Sequence, residues 1–138
     1  MILAIVQARM GSTRLPGKVL KAVSGKPLIE ILFHRLSRSK KIDKVILATS
    51  DTKENDRLVE TIEKLGFEVF RGSEEDVLDR YYQAARQYSP ETVVRVTGDC
   101  PLIDPRLVDE VIGLYTVKNL EYASNTKPPT YPDGLDIE

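Results

Sequence analysis

Three basic side chains, Arg9, Arg14 and Lys18, are interleaved with two glycines, Gly11 and Gly17, in the segment ARMGSTRLPGK that runs from Ala8 to Lys18. Cations spaced among glycines suit an anion with several oxygens. Glycine permits close backbone approach, the N–H groups around Gly11, Ser12 and Thr13 can point at phosphate oxygens, and Arg and Lys neutralise the charge. A second constellation, RVTGDCPLIDP from Arg95 to Pro105, carries Asp99 directly after Gly98. A carboxylate there suits Mg²⁺, which prefers one or two protein carboxylates together with phosphate oxygens.

Each constellation also has a plainer reading. The loop can be a basic surface loop with turn glycines, and Asp99 a turn residue ahead of Pro101. Two common phosphate loops do not fit the first segment. The P-loop needs four residues between its glycines and Ser or Thr after the Lys, whereas five separate Gly11 from Gly17 and Val19 follows Lys18. The dinucleotide fingerprint needs three glycines at fixed offsets, which are not there. Asp104, followed by Pro105, reads as a helix cap rather than a ligand.

These segments depend on the elements that carry them. Ile2 to Val6 is a continuous apolar run, as in a strand buried on both faces. Pro27 opens a helix bearing Leu28, Ile31, Leu32 and Leu36, and Val45 to Ala48 is a second strand. Residues 53–65 carry Leu58, Ile62 and Leu65 in helical register, with Gly66 as the stop. Phe67 to Phe70 reads as a third strand. Ser73 is expected to cap a helix carrying Val77, Leu78, Tyr81, Tyr82, Ala84 and Ala85. Thr92 to Thr97 is a fourth strand, and the helix from Pro105 turns Leu107, Val108, Val111 and Ile112 inward. Strand and helix alternate throughout, which implies an α/β fold: a three-layer α/β/α sandwich with a mostly parallel sheet. Both constellations then fall just after strands, where open parallel sheets bind ligands. After Tyr122 a turn-rich stretch leads to Leu135 and Ile137 alternating with Asp136 and Glu138, the pattern of a strand opening. The expectation is one domain over residues 1–138, the first part of a longer one.

Composition narrows the class. Of 138 residues, 41% are apolar and 30% charged, which excludes a disordered or fibrous chain. Cys100 is the single cysteine, so neither an internal disulfide nor a cysteine cluster can form, and a reducing, cytoplasmic setting is expected. No apolar run approaches the length of a membrane span. The net charge of −1 hides an asymmetry: residues 1–41 hold nine basic residues against Glu30 alone, a balance of +8, and the remainder balances at −9. That places an anion site in the first third. No aromatic platform accompanies the basic residues, which argues against nucleic acid.

ARMGSTRLPGK and GDCPLIDP, in this order and separation, together with GKPLIE and EEDVLDRYYQAA, resemble the cytidylyltransferases of the CMP-sugar synthetase type. The likeness is greatest to the branch that serves spore-coat polysaccharide biosynthesis. The resemblance implies a Rossmann-like nucleotide-diphospho-sugar transferase fold and transfer of CMP from CTP to a sugar or sugar-acid acceptor, with release of pyrophosphate. It implies that Ala8, Arg9, Gly11, Ser12, Thr13, Arg14 and Lys18 bind the nucleotide, with Arg14 and Lys18 on the triphosphate, and that Asp99 holds Mg²⁺. Arg71 and Ser73 fall in the region near the base, and Asp79 and Arg80 match an Asp-Arg pair of the family. From the residues alone, Arg80 can equally pair with Glu75 or Asp76 across a helix turn. Asp136 and Glu138 are implied at the acceptor or the metal, and a homodimer is implied as the assembly. Two rivals stand beside this expectation: a transferase of the same fold using another nucleotide, and a nucleotide-binding module without catalysis. The single histidine, His34, is expected to pack or to face solvent.

Overall fold

The computed structural model describes all residues from Met1 to Glu138. In chain order the elements are β1 (Ile2–Gln7), the short pair β2 (Ala22–Val23) and β3 (Lys26–Pro27), α1 (Leu28–Leu36) and β4 (Lys44–Ser50). There follow α2 (Asp56–Lys64), β5 (Glu68–Gly72), α3 (Val77–Tyr88), β6 (Thr92–Thr97) and α4 (Pro105–Val117). Single 3₁₀ turns at Lys18–Leu20 and Lys53–Asn55 lead into the hairpin and into α2.

Four strands form one parallel sheet in the order β5-β4-β1-β6. The chain walks outward through β1, β4 and β5 and then returns to set β6 on the other side of β1. The strand order therefore reverses between β1 and β6, and the crevice beyond their carboxyl ends is where such sheets take ligands. Alternate side chains of β1 divide the core. Ala4 and Val6 join Val94, Val96, Leu47 and the buried faces of α1, α2 and α4. Leu3 and Ile5 join Ile46, Ala48 and Ala84 of α3. Helices on both faces give the expected three layers.

Several local expectations shift in the structure. Helix α1 begins one residue after Pro27, which closes the β2–β3 hairpin, and it buries Ile29, Leu32, Phe33 and Leu36 rather than Leu28 and Ile31. The hairpin itself turns on Ser24 and Gly25, both at positive φ, the geometry that matches strand twist in two-residue turns. Its Ser-Gly pair is the signal the sequence held for it. Helix α3 covers its face of the sheet alone, through Tyr81, Ala84, Ala85 and Tyr88 at helical spacing. Leu78 and Tyr82 therefore turn outward, 79% and 57% exposed, while Arg80 is fully buried. The cap of α3 is Asp76, which accepts from Asp79 N at 2.8 Å; Ser73 Oγ instead accepts from Asp76 N, one turn earlier. Asp104 caps α4 as its sequence implies, accepting from Arg106 N at 2.9 Å.

Asp109 ties α4 to the turn after α1. Its carboxylate accepts from Ser39 Oγ at 2.5 Å and from the backbone N–H groups of Lys40 and Lys41 at 3.1 Å. Burial raises its pKa, but these donors outweigh that and hold the carboxyl below its ordinary value. Asp109→Ala should cost about 1–3 kcal/mol, because three donors lose a charged acceptor. A depressed carboxylate contributes stability above its unfolded pKa and loses it as pH falls through the folded one. Urea unfolding should thus show the full difference between wild type and variant at neutral pH, shrinking as pH is lowered through and below the usual carboxylate range. A difference independent of pH would assign the effect to packing.

The tail runs beside β6. Arg95 and Glu138 exchange both backbone hydrogen bonds, and Asn125 grips the approach, donating to Leu135 O and accepting from Ile137 N. The alternation of Leu135 and Ile137 is matched by burial of Ile137, although no strand is formed there. No helix is long and apolar enough to cross a membrane.

Candidate functional site

The ends of β1 and β6 converge because Gly98 has no side chain. Its N–H donates to Gln7 O at 2.7 Å, and a Cβ on it would stand 2.5 Å from Ala8 Cβ and 3.0 Å from Gln7 O. Those contacts are with backbone or a short side chain that cannot swing away, so the approach requires glycine. Asp99, the next residue, is thereby delivered to the crevice mouth.

On the β1 side the loop folds around Met10. The Met10 carbonyl accepts from Ser12 N and Gly17 N, each at 2.9 Å, which draws both ends of the loop together. Gly17 lies in the left-handed region at φ 67°, and the 3₁₀ turn that follows anchors buried Val19. Of the amides expected to face an anion, that of Ser12 is consumed inside the loop. Those of Gly11, Thr13 and Arg14 make no hydrogen bond within the protein.

The result is a polar cavity of about 500 Å³ lined by Ala8, Arg9, Ser12, Thr13, Arg14, Lys18, Asp99 and Asp136, with Gln7, Val19, Val77, Thr97 and Gly98 completing it. Three cations face two carboxylates. Lys18 Nζ lies 3.3 Å from Asp99 Oδ2, and Arg9 Nη1 lies 3.0 Å from Glu74 Oε1, just after β5. Arg14 has no ion-pair partner and is exposed. Burial pushes the Asp99 carboxyl up, but hydrogen bonds from Thr97 and Lys18 more than offset it, so Asp99 is ionised throughout the neutral range. Burial raises the neighbouring Cys100 thiol, a hydrogen bond from Thr97 only partly offsetting it, so the thiol is neutral.

Other expected site residues lie elsewhere. Arg71 donates to Thr52 O and pairs with Asp56 at 2.8 Å, at the head of α2. The Arg80 guanidinium donates to the carbonyls of Ser73 and Glu74, at 2.6–3.0 Å, and so clamps the β5–α3 turn; it pairs with neither Glu75 nor Asp76. Glu138 pairs with Arg95 and lines a separate, largely apolar groove of about 230 Å³ along β6, with Glu91 and Glu121. Three carboxylates around that groove make it hostile to a polyphosphate. His34 is half exposed beside Glu30 and does not line the cavity.

The profile of the cytidylyltransferase family matches residues 3–131. The chain belongs to that family. It is 46% identical over 125 residues to the spore coat polysaccharide biosynthesis protein SpsF of Bacillus subtilis, a match covering 88% of this chain and 52% of SpsF. A solved cytidylyltransferase from Leptospira borgpetersenii superposes with a TM-score of 0.93 at 36% identity, covering 99% of this chain and 58% of that one. A CMP:2-keto-3-deoxy-manno-octonic acid synthetase solved with CTP superposes at 0.73 and 27% identity, covering 86% and 48%. The chain spans about half the length of the curated relatives it matches.

Within this cavity, the donor set limits how a metal can be held. No three His, Cys, Asp or Glu side chains converge into a cage. Asp99 and Asp136 are the acidic lining residues, a number that fits an Mg²⁺ sharing its remaining positions with phosphate oxygens and water. The sequence reading missed Val77 and Thr97 in the lining, and Asn55 and Glu74 behind it. Only Thr97, beside the GDC segment, carried a local signal.

Proposed function

We propose that this cytidylyltransferase transfers CMP from CTP to a sugar or sugar-acid acceptor, releasing pyrophosphate, in the cytoplasmic supply of activated sugars for surface polysaccharide. The observation that carries this reading is the junction of β1 and β6, where Lys18 and Asp99 stand 3.3 Å apart beside the unpaired Arg14 and the open amides of Gly11 and Thr13. Cation, carboxylate and free N–H groups in one cavity suit a triphosphate bound with Mg²⁺. The synthetase solved with CTP and the likeness to SpsF support cytosine as the base and a sugar as the acceptor.

In this reading an acceptor hydroxyl attacks the α-phosphorus and the bond to the pyrophosphate oxygen breaks. The protein contributes position and charge rather than covalent chemistry. The amides of Gly11 and Thr13 orient phosphate oxygens, Arg14 and Lys18 offset charge gathering on the departing pyrophosphate, and Asp136 faces the acceptor. Asp99 would hold Mg²⁺, which supplies Lewis-acid polarisation of the phosphates when bound. Ser73 and Arg80 shape the turn bordering the cavity, while Arg71 is tied to the head of α2.

The test is thermal unfolding with CTP, UTP, GTP and ATP, each with and without Mg²⁺, followed by a pyrophosphate-release screen of sugar acceptors. At about 100 times the dissociation constant a ligand adds roughly 2.7 kcal/mol, several degrees at this size. A shift selective for CTP with Mg²⁺ is the expected result. Equal shifts with all four would remove cytosine from the reading, and no shift with any would remove the nucleotide.

A further inference from the structure

Met10, near the start of the loop, is attached to a buried polar cluster that lies outside the cavity lining. Met10 N donates to Asn55 Oδ1 at 2.8 Å, across 45 positions of sequence. Asn55 is fully buried, and its Nδ2 donates to Ser50 Oγ at 2.5 Å and Thr52 Oγ1 at 2.8 Å. Ser50 is also fully buried, at the end of β4, and its hydroxyl shares a hydrogen bond with Thr52 Oγ1 at 3.0 Å. A buried primary amide is costly unless bonded, and the side-chain bonds of Asn55 join the loop to the end of β4 and to Thr52 just beyond it.

We propose that Asn55 is a positioning residue of the candidate site: by holding the Met10 N–H, it presets the phosphate-facing loop. This rests on the nucleotide reading above. Met10 is the pivot, because its carbonyl gathers Ser12 N and Gly17 N while its N–H, in the preceding peptide plane, is held by Asn55. Rotation of the backbone about Met10 would scatter the amides of Gly11 and Thr13. Asn55 touches no ligand itself and acts on binding only through the loop.

Hydrogen exchange on the ligand-free protein, CTP·Mg²⁺ calorimetry and pyrophosphate release together test this. In Asn55→Leu, close in size and without polar atoms, the amides of Met10, Ser12 and Gly17 should exchange about tenfold faster or more, the loss of one net hydrogen bond. Amides within β1 and β4 should keep their protection, and the CTP dissociation constant should rise by a similar factor. Asn55→Asp retains an acceptor for Met10 N, and the hydroxyls of Ser50 and Thr52 can turn to donate to it, so it should recover most of both losses. Unchanged loop exchange in Asn55→Leu would overturn the proposal, as would equal loosening of loop and strands in both variants. If Asn55→Leu does not fold, Asn55→Ser, too short to reach Met10, carries the same comparison. Should the wild-type protein bind no nucleotide, the functional reading fails, while the exchange comparison still decides whether Asn55 sets the loop.

Discussion

Asp99→Asn is expected to lower Mg²⁺-dependent pyrophosphate release by about 10³-fold or more while leaving the protein folded, since it removes the one anionic charge at the crevice mouth that adjoins both strands. The magnitudes separate function from stability. The Asp99 side chain is 52% exposed, and its pair with Lys18 is a partly solvated one whose loss costs at most about 1 kcal/mol. A melting temperature within a few degrees of wild type should therefore accompany the collapse in turnover. Asn keeps the shape and can still accept from Thr97, so lost activity reports the charge. Raising Mg²⁺ should recover little, because a neutral amide oxygen is a poor substitute for a carboxylate with a hard cation. Near-normal activity would remove Asp99 from the metal role and shift attention to Asp136, the other lining carboxylate.

The parts of this site legible in the sequence are those whose cause is local. The unbroken apolar run at Ile2 and the β-branched run from Thr92, interrupted only by Arg95, identify strands, and the residues just beyond them fall where a parallel sheet opens its crevice, so Arg14, Lys18 and Asp99 could be grouped from order alone. Gly17 declares its left-handed turn by being glycine. What escaped depends on contacts made far along the chain. Asn55 sits in a charged stretch that predicts only a helix start, and its tie to Met10 exists because β4 lies next to β1. Arg80 reads as a surface cation until α3 docks and its guanidinium finds the carbonyls of Ser73 and Glu74. Leu78 reads as core because its type is apolar, yet helix phase, set by Tyr81, Ala84 and Tyr88, turns it to solvent. Residue type misleads where tertiary packing chooses the face, and it informs where backbone conformation does.

Lys18→Ala should reduce kcat by about 10²-fold, the cost of removing one preorganised charge from a transition state that gathers negative charge on a leaving group. Lys18 is suited to that role by its setting. It is the first residue of the 3₁₀ turn after Gly17, its side chain is 31% exposed, and its amine already rests on Asp99. A surface cation merely attracting CTP would behave differently, raising KM with kcat unchanged. The contact with Asp99 makes a further demand. If the two residues serve one bound polyphosphate, their effects cannot add, and the double variant should be scarcely worse than Asp99→Asn alone. Additive losses would mean that Lys18 and Asp99 act on separate groups and that their ion pair belongs to the resting protein only. Arg14→Ala provides the scale: lying on the same loop without a partner, it should lose activity mainly through KM if its charge only gathers substrate, and through kcat if it shares the leaving group with Lys18.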